Sequence, residues 1–166
     1  MAPKDEAARD AERLRTSVWG DRFPVDPVRI ARKLGIVVLD ARLPRTVSGA
    51  LVKEQGEDPT ILLNERDSVN RKRFTCAHEL GHFVRRSDNP DEYEYVDFRD
   101  ILAATGHDAE EVYANGFAAS LLMPEREVKR LHNQGHRELD LALYFDVSRE
   151  AMQYRLKNLH LSVDGR

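Results

Sequence analysis

What this 166-residue chain lacks narrows the field before any motif is read. It has one cysteine, Cys76, so no disulfide can form within it and a reducing compartment is expected. No stretch approaches the roughly 18 apolar residues of a membrane-spanning helix. The opening segment MAPKDEAARDAERLRT is charged and has no apolar core, which predicts no secretory signal. Together these features point to the cytoplasm. Charge of one sign is also missing: 26 Lys and Arg stand against 29 Asp and Glu, a net charge of −3. There is therefore no global electrostatic case for nucleic acid or a membrane surface as partner. With 41% hydrophobic residues the chain can still bury a core, and its length suits one domain with at most a small appendage.

The stretch that carries chemistry is FTCAHELGHF, Phe74 to Phe83, which contains H-E-x-x-H as His78, Glu79 and His82. On a helix, positions i and i+4 share a face, so both imidazoles can reach one zinc ion. Glu79 lies about 100° round the helix, off the ligand face but able to reach a water on the metal. That is the division of labour of a zinc peptidase. Two histidines and a glutamate can also occur by chance on an exposed helix. Here Phe74, Ala77, Leu80, Phe83 and Val84 form an apolar stripe at helical spacing, which predicts a packed helix. Gly81 at its middle costs up to about 1 kcal/mol relative to alanine and implies that something packs close there. Cys76 points away from the ligand face and reads as a small buried side chain.

Around the motif the chain reads as α+β. Residues 2–18 predict a polar, alanine-rich helix with few apolar anchors, peripheral and prone to fray. Pro24 and Pro27 punctuate a turn, and Asp26 can cap a short helix that begins at Pro27 and ends at Gly35. Ile36 to Leu39, Ser48 to Glu54 and Thr60 to Glu65 are candidate strands, the last two joined by QGEDP as a hairpin. They predict a small, mostly antiparallel three-stranded sheet beside the motif helix. Its edge could accept an extended peptide, or the sheet could be a structural meander. The motif helix should begin near Asp67 or Ser68. Beyond Arg86 the sequence turns acidic, with nine Asp and Glu against Arg99 alone between Ser87 and Glu111, and reads mostly as a solvated loop face. A second helix is expected over Asp108–Met123, ending at Pro124.

A zinc centre of this kind needs a third protein ligand and an open position for water. The candidates downstream are Asp88, Glu92, Glu94, Asp97, Asp100, His107, Glu110 and Glu111. The extended metzincin pattern is absent, because Arg85 and Asp88 occupy the glycine and histidine positions. A helix positions a ligand better than a loop, which favours Glu110 or Glu111. Yet Asp108-x-x-Glu111 also fits a capping box, with Glu111 reaching back to the Asp108 amide. Periodicity leaves the choice open.

RFTCAHELGH from Arg73 and EVYANGFAASLLMP from Glu111 together resemble the ImmA/IrrE family of metallo-endopeptidases, whose pattern is RFT-x-AHELGH followed by E-x-x-AN-x-FAA-x-LLMP. The similarity covers roughly residues 24 to 160. Two separated motifs with matching flanks are far more specific than H-E-x-x-H alone. The resemblance implies a zincin-like fold, one Zn2+ per chain held by His78, His82 and Glu111, and Glu79 as general base. Asn115, one turn on from Glu111, is implied as a supporting partner of that carboxylate, or else as a polar helix-packing contact. The resemblance further implies a substrate: a helix-turn-helix transcriptional repressor in a regulatory switch. A cytoplasmic protease needs such narrow specificity. Tyr93, Tyr95, His107 and Tyr113 are the candidates for stabilising the oxyanion.

After Pro124, helices are expected near 125–133, 137–145 and 148–159. This divides the chain into a metallopeptidase domain, 1–124, and a C-terminal helical subdomain, 125–166. Val147-Ser148 could form the turn of a helix-turn-helix, with Arg149, Gln153 and Arg155 on its second helix, so DNA binding is a rival function. The segment holds eight Lys and Arg against seven Asp and Glu and no basic stripe. Leu139, Leu141, Leu143, Val147, Met152, Leu156 and Leu159 suit a packed subdomain or protein docking better. A non-catalytic zinc protein is the second rival, but a structural site would have no need of Glu79.

Overall fold

The computed structural model describes residues 1–88, 95–100 and 108–163. Helix α1 (Pro3–Leu14) continues into a short π-helical turn, Arg15–Trp19. Helix α2 (Pro27–Lys33) is capped as its sequence predicts: the Asp26 carboxylate accepts from the Arg29 amide at 3.1 Å, and Pro27 supplies a preset φ at the first position. Gly35 turns the chain out of α2 at φ 80°, where a Cβ would be strained.

Three strands follow: β1 (Val37–Ala41), β2 (Val47–Lys53) and β3 (Thr60–Asn64). A fourth, β4 (Tyr95–Asp100), joins them to make the spatial order β1-β3-β2-β4. β2 is antiparallel to β3 and to β4, with Ala50 opposite both Leu62 and Phe98. β1 runs parallel to β3, with Leu39 opposite Leu62. The α+β class and the mostly antiparallel sheet are as expected. The fourth strand is a correction, because it arises inside the acidic stretch read as loop. Within its sequence YVDFRD the four residues from Val96 to Arg99 alternate apolar and charged at a period of two, and that pattern outweighs net charge.

Helix α3 (Val69–Ser87) carries the motif. Ser68 caps it, its hydroxyl accepting from the Arg71 amide at 3.3 Å. It lies across the sheet at Gly49, where a Cβ would come within 2.5 Å of the Thr75 methyl and 2.8 Å of the Leu62 carbonyl. Helix α4 (Ala109–Leu122) packs along α3. Helices α5 (Glu125–Asn133), α6 (Glu138–Phe145) and α7 (Arg149–Asn158) match the expected tail within a residue. Arg73 joins this tail to the start of α3, donating to the carbonyls of Val25 (2.8 Å), Phe145 (3.3 Å) and Asp146 (3.0 Å). One buried cluster runs from Ala7 and Ala11 through Leu80 and Phe117 to Phe145 and Leu156.

The N-terminal helix corrects a second expectation. Ala7 and Ala11 are completely buried and Arg15 nearly so, with α1 lying against α4. A Cβ on Gly116 of α4 would stand 3.4 Å from that of Ala7. Scarcity of large apolar side chains here marks close helix approach, which small residues permit, and not weak attachment.

Candidate metal centre

Helix α3 buries four polar side chains: Thr75, His78, Glu79 and His82. His78 and His82, one turn apart, are 1% and 6% exposed, with ring centroids 4.8 Å apart and edge-on. Opposite them is the first turn of α4. Its cap residue Asp108 accepts from the Glu110 amide at 3.1 Å, so the cap is made without the Glu111 side chain. That carboxylate turns instead towards α3. Glu111 Oε1 lies 3.0 Å from His82 Nε2 and Oε2 lies 3.3 Å from His78 Nε2, while the two Nε2 atoms are 3.1 Å apart. Close approach of the helices makes this reach possible. A Cβ on Gly81 would come within 3.1–3.2 Å of Phe117 and of the Ala114 backbone, which explains the glycine at the middle of α3.

His78, His82 and Glu111 could hold a metal ion, each through one atom and all within 4.8 Å of one another. Zinc bonds of about 2.0–2.1 Å at a tetrahedral angle separate their donor atoms by roughly 3.3–3.4 Å. The separations of 3.0–3.3 Å approach that spacing, and two imidazoles with one carboxylate are a donor set that zinc favours. Burial works to raise the Glu111 carboxyl, but hydrogen bonding and charge from His78 and His82 outweigh it and hold the group well below the usual carboxylate range. It stays an anion, as a ligand must.

Asn115 Oδ1 lies 2.9 Å from His78 Nδ1. An amide oxygen can only accept, so this contact takes a proton on His78 Nδ1 and leaves Nε2 as the atom that faces His82 and Glu111. Asn115 therefore supports the histidine, whereas the sequence suggested the carboxylate. The two partners are equally natural for a residue one turn beyond Glu111 on the face towards α3. Only the distance between helices decides between them.

Glu79, next to His78 in the chain, is completely buried and is not a member of the converging trio. Glu110 points elsewhere, to Arg85 at 3.2 Å. Asp88 caps the exposed end of α3. Tyr113 is buried with its hydroxyl donating to Asp10 at 2.8 Å. Glu92, Tyr93, Glu94 and His107 lie outside the described residues, as do the side chains of Tyr95, Asp97 and Asp100. Cys76 is buried, and desolvation pushes its thiol far up, which leaves no thiolate nucleophile at neutral pH. In the tail, Arg149 and Gln153 both donate to the buried Glu138, and Arg155 donates to the Met123 carbonyl at 2.9 Å. Leu141, Val147, Met152 and Leu156 are core residues, while Leu139 and Leu143 face solvent.

An uncharacterized immunity region protein 2 of Bacillus phage phi105 is 28% identical over 127 residues, 75% of each chain. A Mycobacterium tuberculosis transcriptional regulator shares the fold with a TM-score of 0.65 over 92% of this chain, at 22% identity. This chain spans 47%, about half, of that protein. Residues 31–157, which contain the trio, Glu79 and Asn115, match Peptidase_M78, the IrrE N-terminal-like domain, and the chain belongs to that family.

Proposed function

We propose that this chain is a zinc-dependent endopeptidase acting on a transcriptional regulator, in particular a helix-turn-helix repressor. The observation that carries the reading is the convergence of His78, His82 and Glu111 within 3.0–3.3 Å, with the buried Glu79 at the adjoining helical position. The trio would hold one zinc per chain. Zinc bound there supplies a Lewis acid for the scissile carbonyl and a water nucleophile near neutral pH.

The protein's own groups do the rest. Glu79 takes the proton from the attacking water and returns it to the departing amine nitrogen. Asn115 engages His78 at Nδ1, which would leave Nε2 to meet the ion. The presence of Glu79 supports catalysis over a structural role, since a structural site normally closes with a fourth protein ligand, and the cluster among the described residues has three. The regulatory substrate is supported by the resemblance of the two motifs and by a relative from a phage immunity region. Binding of DNA by the tail is less well supported, because Arg149, Gln153 and Arg155 are engaged within the fold.

The test is metal content per chain, measured by mass spectrometry for wild type and Glu111→Ala purified without chelator. One zinc in wild type and clear loss in the variant support the site. Full retention in Glu111→Ala moves the third ligand to another acid. No zinc in wild type, even after it is supplied, overturns the reading in favour of a binding module.

A further inference from the structure

Glu110 and Glu111 are neighbouring carboxylates in the first turn of α4, about 100° apart around its axis. Both have the chemistry of a metal ligand, so something must choose between them. Arg85, three residues beyond His82 at the end of α3, touches the other contender. Its Nε lies 3.2 Å from Glu110 Oε1 and its Nη1 lies 2.8 Å from Glu6 Oε2 on α1. The flat guanidinium also stands 4.5 Å from the centre of the Tyr113 ring, within cation–π range. Tyr113 in turn donates to Asp10 of α1 at 2.8 Å. Three helices thus meet one planar cation, with its fork on two carboxylates and its face on an aromatic ring. The geometry defines the rotation of α4, because Glu110 and Tyr113 lie three residues apart and flank one side of its first turn.

The contacts sit where they can control the metal centre. Glu110 precedes a ligand and Tyr113 follows it by two residues. Phe117, stacked at 6.2 Å from Tyr113, is the side chain pressed against Gly81 between the two histidine turns. Helix α1, which supplies Glu6 and Asp10, precedes the residues 31–157 that match the family. It braces the ligand-bearing turn from outside that domain.

We propose that Arg85 is a positioning residue for the metal centre: by holding Glu110 and Tyr113 against α1, it fixes the rotation of α4 that presents Glu111, and not Glu110, to His78 and His82. This rests on the metal-centre reading above. An exposed ion pair with no such role contributes little and leaves metal affinity unchanged.

The experiment is zinc titration of the full chain against a chromogenic chelator, with hydrogen exchange of the α1 amides followed with and without zinc. In wild type, zinc should raise protection across Pro3–Leu14, because a brace and a ligand site that are coupled must stabilise each other. Arg85→Met should weaken zinc binding by on the order of 10-fold or more, the usual cost of losing a supporting partner, and should abolish the zinc-dependent protection of α1. Glu6→Gln, which cuts only the α1 arm, should show a smaller loss in the same direction and serves if Arg85→Met does not fold. Zinc affinity and α1 exchange that match wild type in the folded variants overturn the proposal while leaving the metal centre intact. Failure of wild type to take up zinc overturns the metal-centre reading itself, and the brace with it.

Discussion

The α3–α4 interface and the tail helices α5–α7 both gather charged side chains, under opposite conditions. Between α3 and α4 the two imidazoles are buried and Glu111 partly so, packed beside a glycine with their ligand atoms aimed at one point. In the tail, Glu125–Lys129 and Glu127–Arg130 pair along one turn of α5 in contact with water, and such pairs contribute about 0–1 kcal/mol. The tail has its own buried carboxylate, Glu138, but Arg149 and Gln153 satisfy it in place. Desolvating a polar group is costly unless it has partners. Two imidazoles and a carboxylate brought together could hold a cation, whereas Glu138 is accounted for by packing. Burial combined with convergence separates a site from a solvated face, and charge density does not.

Glu79→Gln tests this contrast most severely. The change is nearly isosteric, so zinc content should stay at one per chain while cleavage of the substrate regulator falls on the order of 10²–10⁴-fold. Cleavage at the wild-type rate would sink the assignment of Glu79. Next in size is Asn115→Ala, which frees the His78 tautomer and should weaken zinc about 10–100-fold in chelator competition. Equal affinity would make Asn115 a packing residue only.

Gly81→Ala probes the close approach of α3 and α4. Alanine favours helix by up to about 1 kcal/mol, but its methyl would sit 3.1–3.2 Å from Phe117 and Ala114, and overpacking costs about 1–3 kcal/mol. The urea midpoint should therefore fall, and zinc affinity with it; a higher midpoint would mean that α4 shifts freely. The smallest effect belongs to the tail. Leu143 is 72% exposed, so Leu143→Ser should change stability by no more than about 0.5 kcal/mol and leave zinc content unaltered. A loss of zinc there would break the distinction between the two regions.

Legibility from sequence followed the range of the interactions. The caps at Asp26, Ser68 and Asp108 and the tail helices were readable because each depends on residues a few positions apart. So was the spacing of His78 and His82. The N-terminal helix was misjudged because its anchors are alanines, whose value depends on a glycine more than 100 positions away. β4 was hidden by acidic composition, although its alternation was present. Glu110 and Glu111 were equivalent by propensity, and the two-motif resemblance, not periodicity, pointed to Glu111.

By itself, then, the sequence determined most of the elements, the two imidazoles on one helical face, and the buried helix that carries them, since these obey the local periods of helix and strand. Tertiary structure decided which carboxylate meets the imidazoles, that Asn115 holds His78 and not Glu111, and that α1 belongs to the core. Each of these depends on the distance and rotation between helices far apart in the chain. That geometry is set by packing at Gly81, Gly116 and Phe117, which no local pattern encodes.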